Sequence, residues 1–169
     1  VGLYHVENLT PEAKEQGEDL IREGAPVYVI DDAELERVKA GYPCVWKDLN
    51  ASPKLCFVGC PHLTLGQLRD WTERIEKSLR ANGKTKVTIP TVFTAAPATI
   101  KEFQKTVYAK RLEHTGVILS YICPLMYMNN PLSGKMPVIT CSNKLRTYTT
   151  ARYYTEDEIL NKITGGASI

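Results

Sequence analysis

A chain of 169 residues can build one good hydrophobic core, and falls short of two. With 43% hydrophobic and 24% charged residues it has the composition of an ordinary globular domain. A net charge of +2, from 21 basic and 19 acidic residues with no basic stripe, argues against a dedicated nucleic-acid binder, and no apolar run approaches bilayer length. Neither nucleic acid nor membrane is therefore expected as a partner. Five cysteines are an odd number in a chain of this size, which points to a reducing, cytoplasmic setting with thiols as core residues, nucleophiles or metal ligands. No signal peptide is visible, and Val1 is not a natural start, so the chain is expected to belong to something longer.

Along the chain, strand and helix signals alternate. Val1 to Val6 reads as a short strand, and Thr10-Pro11-Glu12-Ala13 as a helix start with a capping hydroxyl. Pro26 to Ile30 is a second strand candidate, followed by a helix that Asp31 or Asp32 caps and Gly41-Tyr42-Pro43 stops. The third strand is Lys54 to Val58. Thr64 and Gln67 then form a capping box for a helix from Leu65 to about Ala81, with Leu68, Trp71, Ile75 and Leu79 on one face. A fourth strand lies within Thr85 to Phe93, limited by Pro90, and a helix follows from about Pro97 to Leu112. Gly116 to Ile122 and Met136 to Cys141 are strands five and six, separated by a loop over Pro124 to Gly134. Short helices from Asn143 and from Thr155 to Ile163 close the chain. Apolar strands alternating with helices predict a single α/β domain over residues 1–169, three layers α/β/α around a mostly parallel sheet.

In such a sheet, ligands sit at the carboxyl ends of the strands. Cys60 follows the third strand, Cys123 the fifth, and Ser142 with Lys144 the sixth, so these groups are expected along one edge. Cys60 and Cys123 each precede proline, a recurrent neighbour of iron–sulfur ligands. His62 stands beside Cys60. Cys44 and Cys56 are expected to be packed core thiols. A zinc knuckle from Cys56, Cys60 and His62 lacks a fourth ligand. Asn82-Gly83-Lys84-Thr85 runs from helix to strand, the reverse of a phosphate loop, and is a helix end. His114 likewise closes a helix, on the favourable side of its dipole.

Four segments in order, Leu3 to Ala13 (LYHVENLTPEA), Val58 to Leu68 (VGCPHLTLGQL), Cys123-Pro124 and Ile139 to Tyr148 (ITCSNKLRTY), resemble the large subunit of the aconitase X family. The resemblance covers nearly the whole chain. It implies an aconitase-domain-like fold and a hydro-lyase that dehydrates a small hydroxy acid, such as cis-3-hydroxyproline or phosphomevalonate, with an iron–sulfur cluster on three cysteines. It further implies a small subunit or swivelling domain as partner. Cys60 and Cys123 would be cluster ligands. Ser142, Lys144 and His62 would be catalytic, and His5, Thr10 and Lys144 would bind substrate. An open iron position would act as a Lewis acid on the departing hydroxyl, while Lys144 and helix N-termini would neutralise the substrate's carboxylate or phosphate. Tyr121-Ile122 stands where the family usually has Asp-Thr, and Thr140-Cys141-Ser142-Asn143-Lys144 replaces Thr-Asn-Ser-Gly-Lys. The third cluster ligand falls in an N-terminal region this chain lacks. Two other functions stay open on the residues alone: a non-catalytic α/β binding module with core cysteines, and an enzyme using Cys60 as a nucleophile beside His62.

Overall fold

The structure is a computed structural model and describes residues 4–166. The chain divides into two compact units, Val1–Gly41 and Tyr42–Ile169.

The first unit holds two short helices, α1 (Pro11–Gln16) and α2 (Asp32–Ala40), with a 3-10 turn at Gly17–Leu20. Asp31 caps α2 by accepting from the Glu34 amide at 2.8 Å. Thr10 precedes α1, but its hydroxyl turns back to Val6, accepting from the Val6 amide at 3.1 Å and lying 3.3 Å from its carbonyl. The strand expected at Pro26–Ile30 does not form: Val27, Tyr28, Val29 and Ile30 are all exposed in irregular backbone. β-branched side chains favour a strand only where a neighbouring strand gives them something to pack on, and here none pairs with them. Of the strand expected at Val1–Val6, Val1–Leu3 lie outside the described residues and Tyr4–Val6 are not strand.

The second unit is built on a five-stranded sheet, every pairing parallel, in the order β3-β2-β1-β4-β5. The strands are β1 (Leu55–Leu63), β2 (Thr91–Ala95), β3 (Ile118–Ser120), β4 (Val138–Thr140) and β5 (Arg152–Tyr153). Between them run α3 (Leu65–Ala81), α4 (Pro97–Gln104), α5 (Val107–His114), α6 (Pro124–Met128) and α7 (Asn143–Tyr148), with α8 (Glu156–Thr164) after β5. The three-layer α/β/α arrangement follows from strands that are apolar on both sides. Cys56, Val58, Phe93 and Ile139 pack on one face with Leu68, Trp71 and Ile75 of α3, Phe103, Leu112, and Ile159 and Ile163 of α8. Phe57, Val92 and Val138 pack on the other with Met128, Leu145 and Ala151. The period-two alternation of the strands assigns each residue to its layer. Burying side chains the size of Leu68 or Ile75, both fully buried, stabilises by about 1.5–3 kcal/mol each.

Several boundaries differ from the sequence expectation, for identifiable reasons. The fourth strand has Pro90 as its limit, as expected, but starts just after it and runs past Phe93 to Ala95, because proline has no amide to give a ladder. The helix expected over 97–112 is two helices, α4 and α5, broken at Lys105-Thr106. The segment expected as a loop at Pro124–Gly134 carries α6, which uses Pro124 in its first turn. The edge strand β5 carries no apolar run and is set by its pairing to β4 alone. The capping box of α3 is present, with the Gln67 amide 3.2 Å from Thr64 Oγ1 and the Thr64 amide 2.9 Å from Gln67 Oε1.

Candidate functional site

The chain leaves β1 by way of α3 toward β2 and β3 on one side, then returns through α6 to β4 on the other side of β1. The strand order thus reverses between β1 and β4. In an open parallel sheet the crevice at such a reversal, outside the carboxyl ends of the strands, is where ligands bind. The residues there are the end of β1, Gly59-Cys60-Pro61-His62, and the residues after β4, Cys141 to Lys144.

The end of β1 departs from regular pairing. Its ladder to β4 runs to Phe57 opposite Thr140, and its register to β2 shifts between Val58 and Leu63. Cys60 and His62 therefore lie in the irregular end of β1, not beyond a strand that stops at Val58 as expected. Beyond Phe57 the carbonyls that leave the ladder need other donors, and hydroxyls supply them at Gly59 and Cys60, with a further one on Phe57, the last residue paired to β4. Thr140 Oγ1 donates to the Phe57 carbonyl at 2.8 Å, Thr94 Oγ1 donates to the Gly59 carbonyl, and Ser142 Oγ donates to the Cys60 carbonyl. Ser142 also caps α7, accepting from the Leu145 amide at 3.0 Å, and its own amide donates to Thr140 Oγ1 at 3.1 Å. The Cys60–Pro61 peptide is cis. Gly59 has φ +111°, and a Cβ placed there would lie 2.3 Å from the Thr94 carbonyl oxygen, so only glycine fits between β1 and β2.

Of the residues expected in the site, Cys60 and Ser142 are brought into direct contact. Cys60 is 9% exposed, within the cluster that holds Met128 and Leu145, whereas His62 and Lys144 are exposed. Cys123 is half-buried at the start of α6, three residues past the carboxyl end of β3, which lies two strands from β1. α6 folds back over the sheet toward β1, with Tyr127 stacked on Phe57 at a centroid distance of 5.4 Å. His5 and Thr10 belong to the first unit, where His5 Nδ1 lies 3.7 Å from Glu12 Oε2. Thr94 went unforeseen, and Thr140, though part of the Ile139–Tyr148 segment, carried no expected role. Nothing local marks Thr94, but a glycine inside an apolar strand signals a close backbone approach, and Gly59 carries that signal.

The other cysteines face the opposite layer. Cys56 is fully buried there, and burial pushes its thiol well above the ordinary range. Burial, with Glu156 adding to it, pushes Cys141 up to about 11. Both stay protonated at neutral pH, as packed thiols should. From His114 to Thr155 the sequence contains no Asp or Glu, yet it carries Lys135, Lys144, Arg146 and Arg152, of which Lys144 and Arg146 follow β4 at the crevice. Among the described residues no group of three His, Cys, Asp or Glu side chains could hold a metal ion. The two thiols Cys60 and Cys123 therefore do not complete a cluster site by themselves. A hollow of about 680 Å³ between α6 and residues 147–150 has mixed apolar and hydroxyl walls and is lined by Met128 but not by Cys60. Among the described residues no helix is long and apolar enough to cross a membrane.

The sheet order and the crevice define a doubly wound parallel α/β domain, and the solved structure of aconitase X from Thermococcus kodakaraensis in its holo form has the same fold. That structure matches 83% of this chain with a TM-score of 0.60 and 20% identity, over 34% of its own length. The particular resemblance is to the large subunit: the chain is 27% identical over 135 residues to the phosphomevalonate dehydratase large subunit of Thermococcus kodakarensis. The match takes in 79% of this chain and spans about a third, 31%, of that relative's length. No family model matches the chain. The aconitase X resemblance read from the four sequence segments is thus borne out in both sequence and fold.

Proposed function

We propose that the chain is one domain of an aconitase-X-like hydro-lyase that removes water from a small hydroxy acid in the cytoplasm, acting with a small subunit or swivelling domain of the same enzyme. The observation that carries the proposal is the contact of Ser142 with Cys60 across the β1–β4 reversal, where this fold class binds ligands. The likeness to a dehydratase large subunit supports the reaction class. In this proposal Cys60 and Cys123 are the thiols this chain offers to an iron–sulfur cluster, and the remaining ligand comes from elsewhere in the enzyme. Lys144 is exposed with no ion pair among the described residues, and in an acid-free stretch it offers its charge to a substrate carboxylate or phosphate. His62, exposed beside Cys60, exchanges a proton with the substrate. Ser142 belongs to the catalytic group as the residue that joins the two strand ends. His5 and Thr10 are substrate contacts on the strength of the family motif.

The test is to express the enzyme with its partner subunit and assay loss of water from phosphomevalonate and from cis-3-hydroxyproline. Turnover of one of them is expected, abolished by Cys60→Ser and weakened mainly through KM by Lys144→Met. The chain alone is expected to be inactive. Full turnover by Cys60→Ser, or no dehydration of any hydroxy acid by an iron-containing assembly, would refute the proposal. The low exposure of Cys60 favours one alternative, a binding module in which that thiol is only packing. An assembly free of iron whose ligand affinity survives Cys60→Ser would establish it.

A further inference from the structure

We infer that Thr94 and Thr140 are positioning residues for Cys60, forming with Ser142 a clasp of three buried hydroxyls that fixes the irregular end of β1. The inference rests on the assignment of Cys60 to the site, but concerns Thr94, outside the motifs that led to it, and a role for Thr140 that the motif containing it does not state. The three hydroxyls come from three places: β2, β4, and the first position before α7. Each gives its proton to a different carbonyl of β1, those of Gly59, Phe57 and Cys60. Thr94 and Thr140 are fully buried and Ser142 is 6% exposed, so no solvent competes for these bonds. The lone pairs are used as well: Thr140 accepts from the Ser142 amide and Ser142 from the Leu145 amide. The clasp is thus one connected network from β1 through β4 to α7, with Thr94 closing it from the β2 side.

The requirement for the clasp follows from the backbone. Between Val58 and Leu63 the pairing of β1 to β2 is interrupted, and the ladder to β4 stops at Phe57. Ladder hydrogen bonds alone would leave Gly59 and Cys60 without fixed partners. A hydroxyl can meet a carbonyl at the displaced position where a backbone amide, tied to its own strand, cannot. Gly59 allows the close approach, since its absent Cβ is what lets Thr94 reach its carbonyl. Cys60 is thereby held from the carbonyls on both sides of its α-carbon, which sets the base from which its side chain projects. Sites that must present a ligand or reacting group in one geometry need this kind of second layer of support.

The test reads the reactivity of Cys60 and needs neither iron nor substrate, so it can succeed or fail independently of the dehydratase assay. Alkylation by iodoacetamide is followed by peptide mass spectrometry in the unaltered chain, Thr94→Val and Thr94→Ser. Valine keeps the shape and removes the donor, while serine keeps the donor. Cys60 should react at least tenfold faster in Thr94→Val and at the unaltered rate, within about twofold, in Thr94→Ser; Cys123 and Cys141 should change less than twofold in either. A parallel rise at all three cysteines would show general loosening and overturn the inference, as would an unchanged Cys60 rate or a failure of serine to restore it. Should Thr94→Val not fold, hydrogen exchange in the unaltered chain decides. The Ser142 and Leu145 amides, which donate to clasp hydroxyls, should be as protected as amides within β1, and exchange at the rate of exposed turns would refute the clasp.

Discussion

Gly59→Ala should be far more damaging than its chemistry suggests. Two costs add at this position. An alanine at φ +111° occupies backbone space that residues with a Cβ rarely adopt, a strain of about 1–3 kcal/mol. Its Cβ would also lie 2.3 Å from the Thr94 carbonyl oxygen, 2.7 Å from Thr94 Oγ1 and 2.9 Å from the Thr94 amide nitrogen. Two of those atoms are backbone in the neighbouring strand, so relief requires β1 and β2 to part, and overpacking of this kind costs about 1–3 kcal/mol more. The total, about 2–6 kcal/mol, corresponds to a fall of about 1–3 M in the urea midpoint at a slope of about 2 kcal/mol per molar. Gly83→Ala is the matched control: φ is +63°, with nothing within 4 Å of the added carbon. It should cost only its left-handed backbone strain, about 1–2 kcal/mol. Urea unfolding of both variants, followed by circular dichroism, makes the comparison. If Gly59→Ala and Gly83→Ala fall by the same amount, the close approach of β1 to Thr94 is wrong.

Two further outcomes are expected. Arg111 holds the Glu76 carboxyl below its ordinary range through a charge-assisted hydrogen bond at 2.6 Å, so the pair stabilises the fold above the ordinary carboxylate pKa and is lost as pH falls through the lowered one; Glu76→Gln should flatten that acid limb in urea titrations, and an unchanged limb would count against the pair. Cys141, with its thiol pushed up to about 11, should alkylate about tenfold faster per pH unit from pH 7 to 9, and Cys56 should not react until the fold opens; a Cys141 rate that levels off near pH 8 would contradict its burial.

Much of the second unit was legible from the residues. The α3 stripe of Leu68, Trp71, Ile75 and Leu79 and the Thr64–Gln67 capping box are both as the spacing dictated, because each contact joins residues three or four apart. The placement of Cys60, Cys123 and Ser142 at strand ends was legible too, since alternation of strands and helices forces a parallel sheet with its carboxyl ends on one edge. Pro26–Ile30 misled for the same local reason: its apolar, β-branched run matches the strand template, but a template contains no partner strand. β5 was invisible in turn, because Arg152 and Tyr153 become a strand only through pairing with β4.

The sequence by itself determined the starts of α2, α3, α7 and α8, the buried stripe of α3, the parallel α/β class and the packed state of Cys56, because these depend on neighbours along the chain and on side-chain type. Tertiary structure alone decided that β1 and β4 flank the reversal of strand order, that Gly59 lies against Thr94, and that Ser142 grips the Cys60 carbonyl. Those bonds join residues 35 and 82 positions apart. Their geometry depends on how three strands register against one another, and a displaced carbonyl finds its hydroxyl only once that register exists.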